Sequence, residues 1–444
     1  MVDESRDPTS RINYNSRRRL LRVMGSSAAA TSLAGCSLIS SNDIGSSGSP
    51  DEVSIGILAG SLDLATGPSQ RDAAKLAVED AKADGVLEGA DYSVHTRDTK
   101  LASSPARDAY RELTIREEVD ATFGLVAGAA NLTVMEEMKR QRLLNFATGS
   151  LNMGVPERIK NDYETYKYHF RVRPQNAVQI GQEYGYMIEE FADRQGWDTV
   201  GYLAEDFQEI IKIKDVSVQK IRELDNVELA YNEIYPTGTE NFGPYYDDVQ
   251  SEDCDVLLTV MALAGLKATN QWAKQERPFE FGGINLAAFD TSFLEQTNGN
   301  GEYVWSATQF TADSEQTQKT IPWIERFIDR FGYSPQYPAP ATYDSVRMYL
   351  RAIAETGTKD EDTLIKHIEQ MEYENPYFYE TPLQVNGPDH KWPHGPQWDE
   401  KESLTPVWFQ WQTEDGRDGS GKQKVYWPDQ AATTDLQTPP WLRS

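Results

Sequence analysis

From Glu52 onward, short apolar runs alternate with stretches of helical period, and that alternation restricts the chain to parallel βαβ units. Val53-Ser54-Ile55-Gly56-Ile57-Leu58 reads as a first strand, and the spacing of Ala73, Leu76, Ala77 and Val78 predicts an amphipathic helix over 72–83. Strands at 92–96, 122–126 and 143–146 follow, separated by helices over 105–117 and 134–140. A second series begins after Phe170: a helix over 177–195, a strand at 199–203, a helix reaching 224 and a strand at 228–234. It continues with a strand at 256–260, a helix over 266–275 and a strand at 279–284. At 444 residues the chain exceeds one ordinary core, so the fold class is α/β, with two doubly wound, Rossmann-like lobes. Ligands of such sheets lie at the carboxyl ends of the strands.

The first fifty residues carry no such alternation. Arg17-Arg18-Arg19 precedes a small-residue apolar stretch over 23–34, the pattern of a twin-arginine export signal. Gly25, Ser26 and Ser27 break that stretch, which is short for a permanent membrane span. Leu33-Ala34-Gly35-Cys36 then matches a lipobox, in which Cys36 is the lipid-attachment residue. Residues 1–36 are thus expected to be a lipoprotein signal and 37–51 a flexible Ser/Gly tether. The folded part is expected on the extracellular face of the cell membrane, held there by its lipid.

Charge and cysteine usage exclude other classes. The six arginines and three acidic residues before Cys36 leave 37 basic and 67 acidic residues in the rest, a net charge of −30. Such a surface repels phosphate backbones, so nucleic-acid binding is not expected. Cys254 opens an apolar run and is read as an inert core thiol, so Cys36 and Cys254 form no disulfide pair. The five histidines show no zinc spacing, and no metal or cofactor is expected. Gly-x-Ser-x-Gly, Walker and zinc-helix motifs are lacking, and the chain is not read as an enzyme.

Five stretches, in this order, resemble the branched-chain amino acid (Leu/Ile/Val) type of periplasmic solute-binding protein, whose relatives bind amides or urea. They are Val53 to Leu58 with the helix Leu76-Ala77-Val78-Glu79-Asp80-Ala81, Arg97-Asp98-Thr99 with Ser104-Pro105-Ala106, Phe123-Gly124-Leu125-Val126, Phe170-Arg171-Val172-Arg173-Pro174, and Ala341-Thr342-Tyr343-Asp344. The resemblance implies a type I periplasmic binding protein: two lobes joined by a three-stranded hinge, closing over a small-molecule solute and serving the permease and ATPase of an ABC importer. Residues 52–172 plus 307–374 are expected in lobe 1, 173–306 plus 375–430 in lobe 2, and 431–444 as a C-terminal tail. The chain is read as a monomer. A ligand-sensing ectodomain is the alternative function, and a secreted hydrolase a more distant one.

The resemblance also assigns ligand-binding candidates. Gly128, Ala129 and Asn131 end one strand and open a helix whose free N–H groups favour an anion, although a plain helix start with an Asn cap fits the same residues. Thr148, Gly149 and Ser150 form a hydroxyl-bearing turn at the next strand end. On the second wall, Phe207 is placed as a lid and Met261 as a lining residue. Asn285 stands where amino acid binders of the family carry the carboxylate that pairs with the ligand's ammonium; Glu205, Asp206 and Asp290 are the candidates to replace it. The Trp-rich tail from Glu380 is read as a hairpin appendix that packs its aromatics on the lobe and ends in an edge strand stopped by Pro428.

Overall fold

A computed structural model describes residues 50–172, 175–313, 315–374, 376, 382–397, 406–414 and 421–443. The export signal, the tether, Cys36 and the Arg173-Pro174 crossing lie outside the described residues. The first sheet contains β1 (Glu52–Ala59), β2 (Asp91–Asp98), β3 (Ala121–Gly124), β4 (Leu144–Ala147) and β5 (His169–Arg171), all parallel, in the order β2-β1-β3-β4-β5. Between them run α1 (Thr66–Ala83), α2 (Ser103–Arg111), α3 (Gly128–Gln141), α4 (Gly154–Asn161) and the single turn α5 (Tyr163–Tyr166). The register aligns Phe123, Phe146 and Phe170 side by side, and their rings stack at 5.0 and 5.5 Å. Apolar strand faces of this kind let the sheet bury both sides under helices.

The second lobe starts with α6 (Ala177–Gln195), whose entry is fixed by a capping box between Asn176 and Gln179. Then come β6 (Thr199–Glu205), α7 (Gln208–Ile221), β7 (Glu228–Tyr235), α8 (Gly243–Ser251), β8 (Val256–Met261), α9 (Gly265–Lys274), β9 (Glu280–Asn285), α10 (Phe293–Gln296) and β10 (Trp305–Thr308). After β10 the chain returns to the first lobe as α11 (Thr320–Phe331), α12 (Ala339–Thr356) and α13 (Glu361–Ile368). It then completes the second sheet with β11 (Val407–Gln412) and β12 (Lys422–Trp427). The sheet order is β12-β11-β10-β9-β8-β6-β7, antiparallel only where β11 meets β10 and β12. No helix of the described residues is long and apolar enough to cross a membrane.

Three placements differ from the sequence reading. The hairpin after Val407 is not an appendix: it adds two strands to the second sheet, with Trp408 and Trp411 buried in its cores. Residues 383–396, assigned to lobe 2, pack on lobe 1, where Leu383 and Val385 join its core and His394 stacks on Phe170 at 4.1 Å. Ala307 and Thr308, assigned to lobe 1, lie in β10 of the second sheet. In each case an apolar or aromatic side chain settles against whichever core has a matching gap, which local pattern does not specify. The segment 431–443 also docks on the second lobe, through Trp441 Nε1 donating to Arg277 O at 3.1 Å and its ring meeting Trp272 at 5.1 Å.

Candidate functional site

Segments that follow β4 of the first sheet and β6 and β9 of the second lie at the junction of the lobes, where Asn152 meets Glu209 and Thr291 meets Gln336. On the first wall, α3 starts at Gly128 directly after the loop from β3, and its N-cap Ala127 has no side chain to offer the first turn. Ala129 is exposed and Gly128 half-buried there. The neighbouring turn after β4 carries Thr148, Gly149, Ser150 and then Asn152, a residue the sequence reading did not single out.

Hydrogen bonds separate these candidates into two groups. Thr148 is fully buried; its Oγ1 accepts from Gln70 Nε2 at 3.1 Å and lies 3.0 Å from Thr342 Oγ1. Gln70 Oε1 in turn accepts from Gly60 N–H at 2.8 Å, which fixes the amide's orientation. Thr148 therefore ties β4 to α1 and α12, and its hydroxyl is spent on the fold. Asn131 is also fully buried, with Nδ2 directed at Leu125 O, 3.5 Å away, in the positive-φ turn that ends β3. Ser150 Oγ accepts from Asn152 N–H at 3.4 Å, and the Gly149 carbonyl accepts from Tyr337 O–H at 3.1 Å. Gly128, Ala129, Gly149 and Ser150 thus share the first wall, with Tyr337 contributed from the residues just before α12.

On the second wall, Phe207 is half-buried at the N-cap of α7, packed at the border of the second core. Met261 has no exposed surface and belongs to that lobe's interior. Asn285 is equally buried: its Oδ1 accepts from Ala287 N–H at 3.1 Å and its Nδ2 donates to Thr269 Oγ1 at 3.4 Å. It caps the turn after β9. Glu205 is buried as well, and Oε2 accepts from the N–H groups of Ala262 and Leu263 at 2.7 and 2.9 Å. That carboxylate braces the turn after β8. Asp290 Oδ1 likewise accepts from Ser292 N–H and O–H, at 2.9 and 2.7 Å.

Among the described residues the walls touch through contacts that no local sequence signal marks, and Leu151 and Met153 of the first lobe also pack against the second core. Asn152 Nδ2 donates to Glu209 Oε1 of α7 at 2.7 Å. Gln336 Nε2 donates to Thr291 Oγ1 at 3.0 Å, and the Phe289 and Tyr337 rings meet edge to face at 5.8 Å. These contacts join residues 45 to 57 positions apart in the chain, which is why spacing could not reveal them. No group of His, Cys, Asp and Glu among the described residues is arranged to hold a metal ion. Cys254 is buried in the second lobe, and burial pushes its thiol up to about 12, away from reactivity at neutral pH.

The two-lobed arrangement agrees with the periplasmic binding protein family model, which matches residues 53–396. The chain belongs to the periplasmic binding protein family. Solved type I periplasmic binding proteins superpose on most of its length. A putative branched-chain amino acid ABC transporter protein from Silicibacter pomeroyi is similar at a TM-score of 0.72 and 14% identity, over 88% of this chain and 100% of that one. The binding protein LivJ of Streptococcus pneumoniae, in complex with isoleucine, gives 0.64 and 16%, over 86% and 98%. A solute-binding protein of R. palustris in complex with 4-hydroxybenzoate gives 0.66 and 13%, over 84% and 96%. Among curated proteins, none matches this sequence. At such identities the likeness of solved structures is one of fold, and the solute has to be argued from the chain's own cleft.

Proposed function

We propose that this periplasmic binding protein captures a small solute between its lobes, an amino acid or another small amide or carboxylate. It would then deliver that solute to the permease and ATPase of an ABC importer. The observation that carries the reading is the meeting of both walls around the strand ends, through Asn152 and Glu209, Gln336 and Thr291, and Tyr337 and Phe289. A cleft divided between two lobes of a hinged protein closes on its ligand and so excludes water from it. Gly128, Ala129, Ser150 and Phe207, with Tyr337 and Phe289, are the surfaces proposed to touch the solute. Related solved proteins hold isoleucine or 4-hydroxybenzoate, which supports a ligand of that size.

Export by the twin-arginine route and anchoring through Cys36 belong to the same proposal, since an importer's receptor has to work outside the membrane. Exposed leucines at the strand ends of both lobes, Leu64 on the first and Leu263 on the second, suit contact with a membrane partner. The test is a thermal-shift and calorimetric titration of the folded part with hydrophobic amino acids, amides, urea and aromatic acids. A solute that binds only the folded form raises its stability, by about 2.7 kcal/mol at a hundredfold excess over Kd. Turnover of a substrate without any such stabilisation would refute the reading.

A further inference from the structure

Glu209 stands in the first turn of α7, yet its carboxylate reaches the opposite lobe and lies against Gly128, the first residue of α3. A Cβ on Gly128 would sit 2.0 Å from Glu209 Oε1 and 2.9 Å from Asn152 Nδ2, so a side chain at residue 128 would expel this carboxylate. Asn152 is buried, and its amide orientation is fixed because Oδ1 accepts from Gly154 N–H at 2.8 Å. Its Nδ2 therefore faces across the cleft as a donor, and the acceptor it meets is Glu209, at 2.7 Å. The position that the sequence marks for a ligand's anion is thus filled by an anion of the protein itself.

We propose that Glu209 is a specificity-determining residue of the cleft. With the lobes together, its charge excludes a carboxylate from the head of α3 and favours a solute that offers a hydrogen-bond donor there, an ammonium or an amide. The inference rests on the solute-capturing reading given above. Its physical basis is that two carboxylates in one partly desolvated position repel each other, whereas an N–H donor shares the Glu209 oxygens without that cost.

The test compares 4-hydroxybenzoate with 4-hydroxybenzamide, titrated by calorimetry into the wild-type protein, Glu209→Gln and Asn152→Ala. Glu209→Gln is expected to improve the affinity for 4-hydroxybenzoate relative to 4-hydroxybenzamide by about tenfold or more. Asn152→Ala, which keeps the Glu209 charge but removes the cross-lobe hydrogen bond together with the local acceptor of Gly154 N–H, is expected to show no such gain. An unchanged affinity ratio in Glu209→Gln overturns the proposal, as does an equal gain in Asn152→Ala, which would assign the effect to a loosened interlobe contact. If other solutes stabilise the wild-type protein while the ratio stays fixed, only this inference fails. If nothing tested stabilises any of the three proteins, the solute-capturing reading fails with it.

Discussion

Thr148 shows how a side chain of the right chemistry in the right turn can belong to the scaffold. Its hydroxyl closes a buried chain of hydrogen bonds from Gly60 through Gln70 toward Thr342, joining a strand and two helices of the first lobe. Thr148→Val is isosteric but leaves Gln70 Nε2 without an acceptor, and should cost about 1–3 kcal/mol of unfolding free energy. Urea denaturation checks the loss, and solute affinity is expected to stay within about twofold if the hydroxyl serves packing alone. Asn285 and Glu205 follow the same rule: Asn285 is spent on the turn after its own strand β9, and Glu205, at the end of β6, on the turn after the neighbouring β8. The sequence identified these polar residues at strand ends but not their partners, because Gln70 lies 78 positions from Thr148 and Ala262 lies 57 from Glu205.

Among the elements, β9 carries a titratable group that couples it to the C-terminal segment. Glu280, at the start of the strand, is largely buried, and burial raises its carboxyl to about 7 although Thr438 Oγ1 donates to it at 3.1 Å. A carboxyl whose native pKa lies above the unfolded value binds protons more tightly when folded. Its contribution is complete below the ordinary value of 4.5 and is lost as pH rises toward about 7. Glu280→Gln removes that loss, so the variant should gain on the order of 2 kcal/mol over wild type at pH 8 and show little difference at pH 4. Urea midpoints at the two pH values test the sign. A gain confined to acid pH would show that Glu280 is ionised and paired in the native protein.

For the whole molecule, the net charge of −27 sets a uniform self-repulsion on the folded state. Salt shortens its range, from about 30 Å at 0.01 M to about 3 Å at 1 M. The melting temperature is therefore expected to rise by several degrees between these two conditions; a fall would mean that the surface ion pairs, such as Arg326 with Asp80, outweigh the repulsion. The same scale governs the lobes. Their boundary moved at residues 307–308 and 383–396 because β10 continues the second sheet, while His394, held between His169 O at 3.0 Å and Glu369 at 2.7 Å, fastens its segment to the first lobe.

The order of strands and helices and the two-lobed class were legible in the sequence, because periodicity is a local property of a chain. α6 shows this well: the helical period predicted 177–195, and the capping box holds the helix at that start. The partners of polar residues were not legible. Whether a threonine, asparagine or glutamate at a strand end meets a ligand or the chain itself depends on groups brought together from distant positions, and only the tertiary structure set Glu209 against Gly128 and Asn152. A hydrogen bond needs its donor and acceptor within about 3 Å, a condition that sequence spacing leaves open and packing alone fulfils.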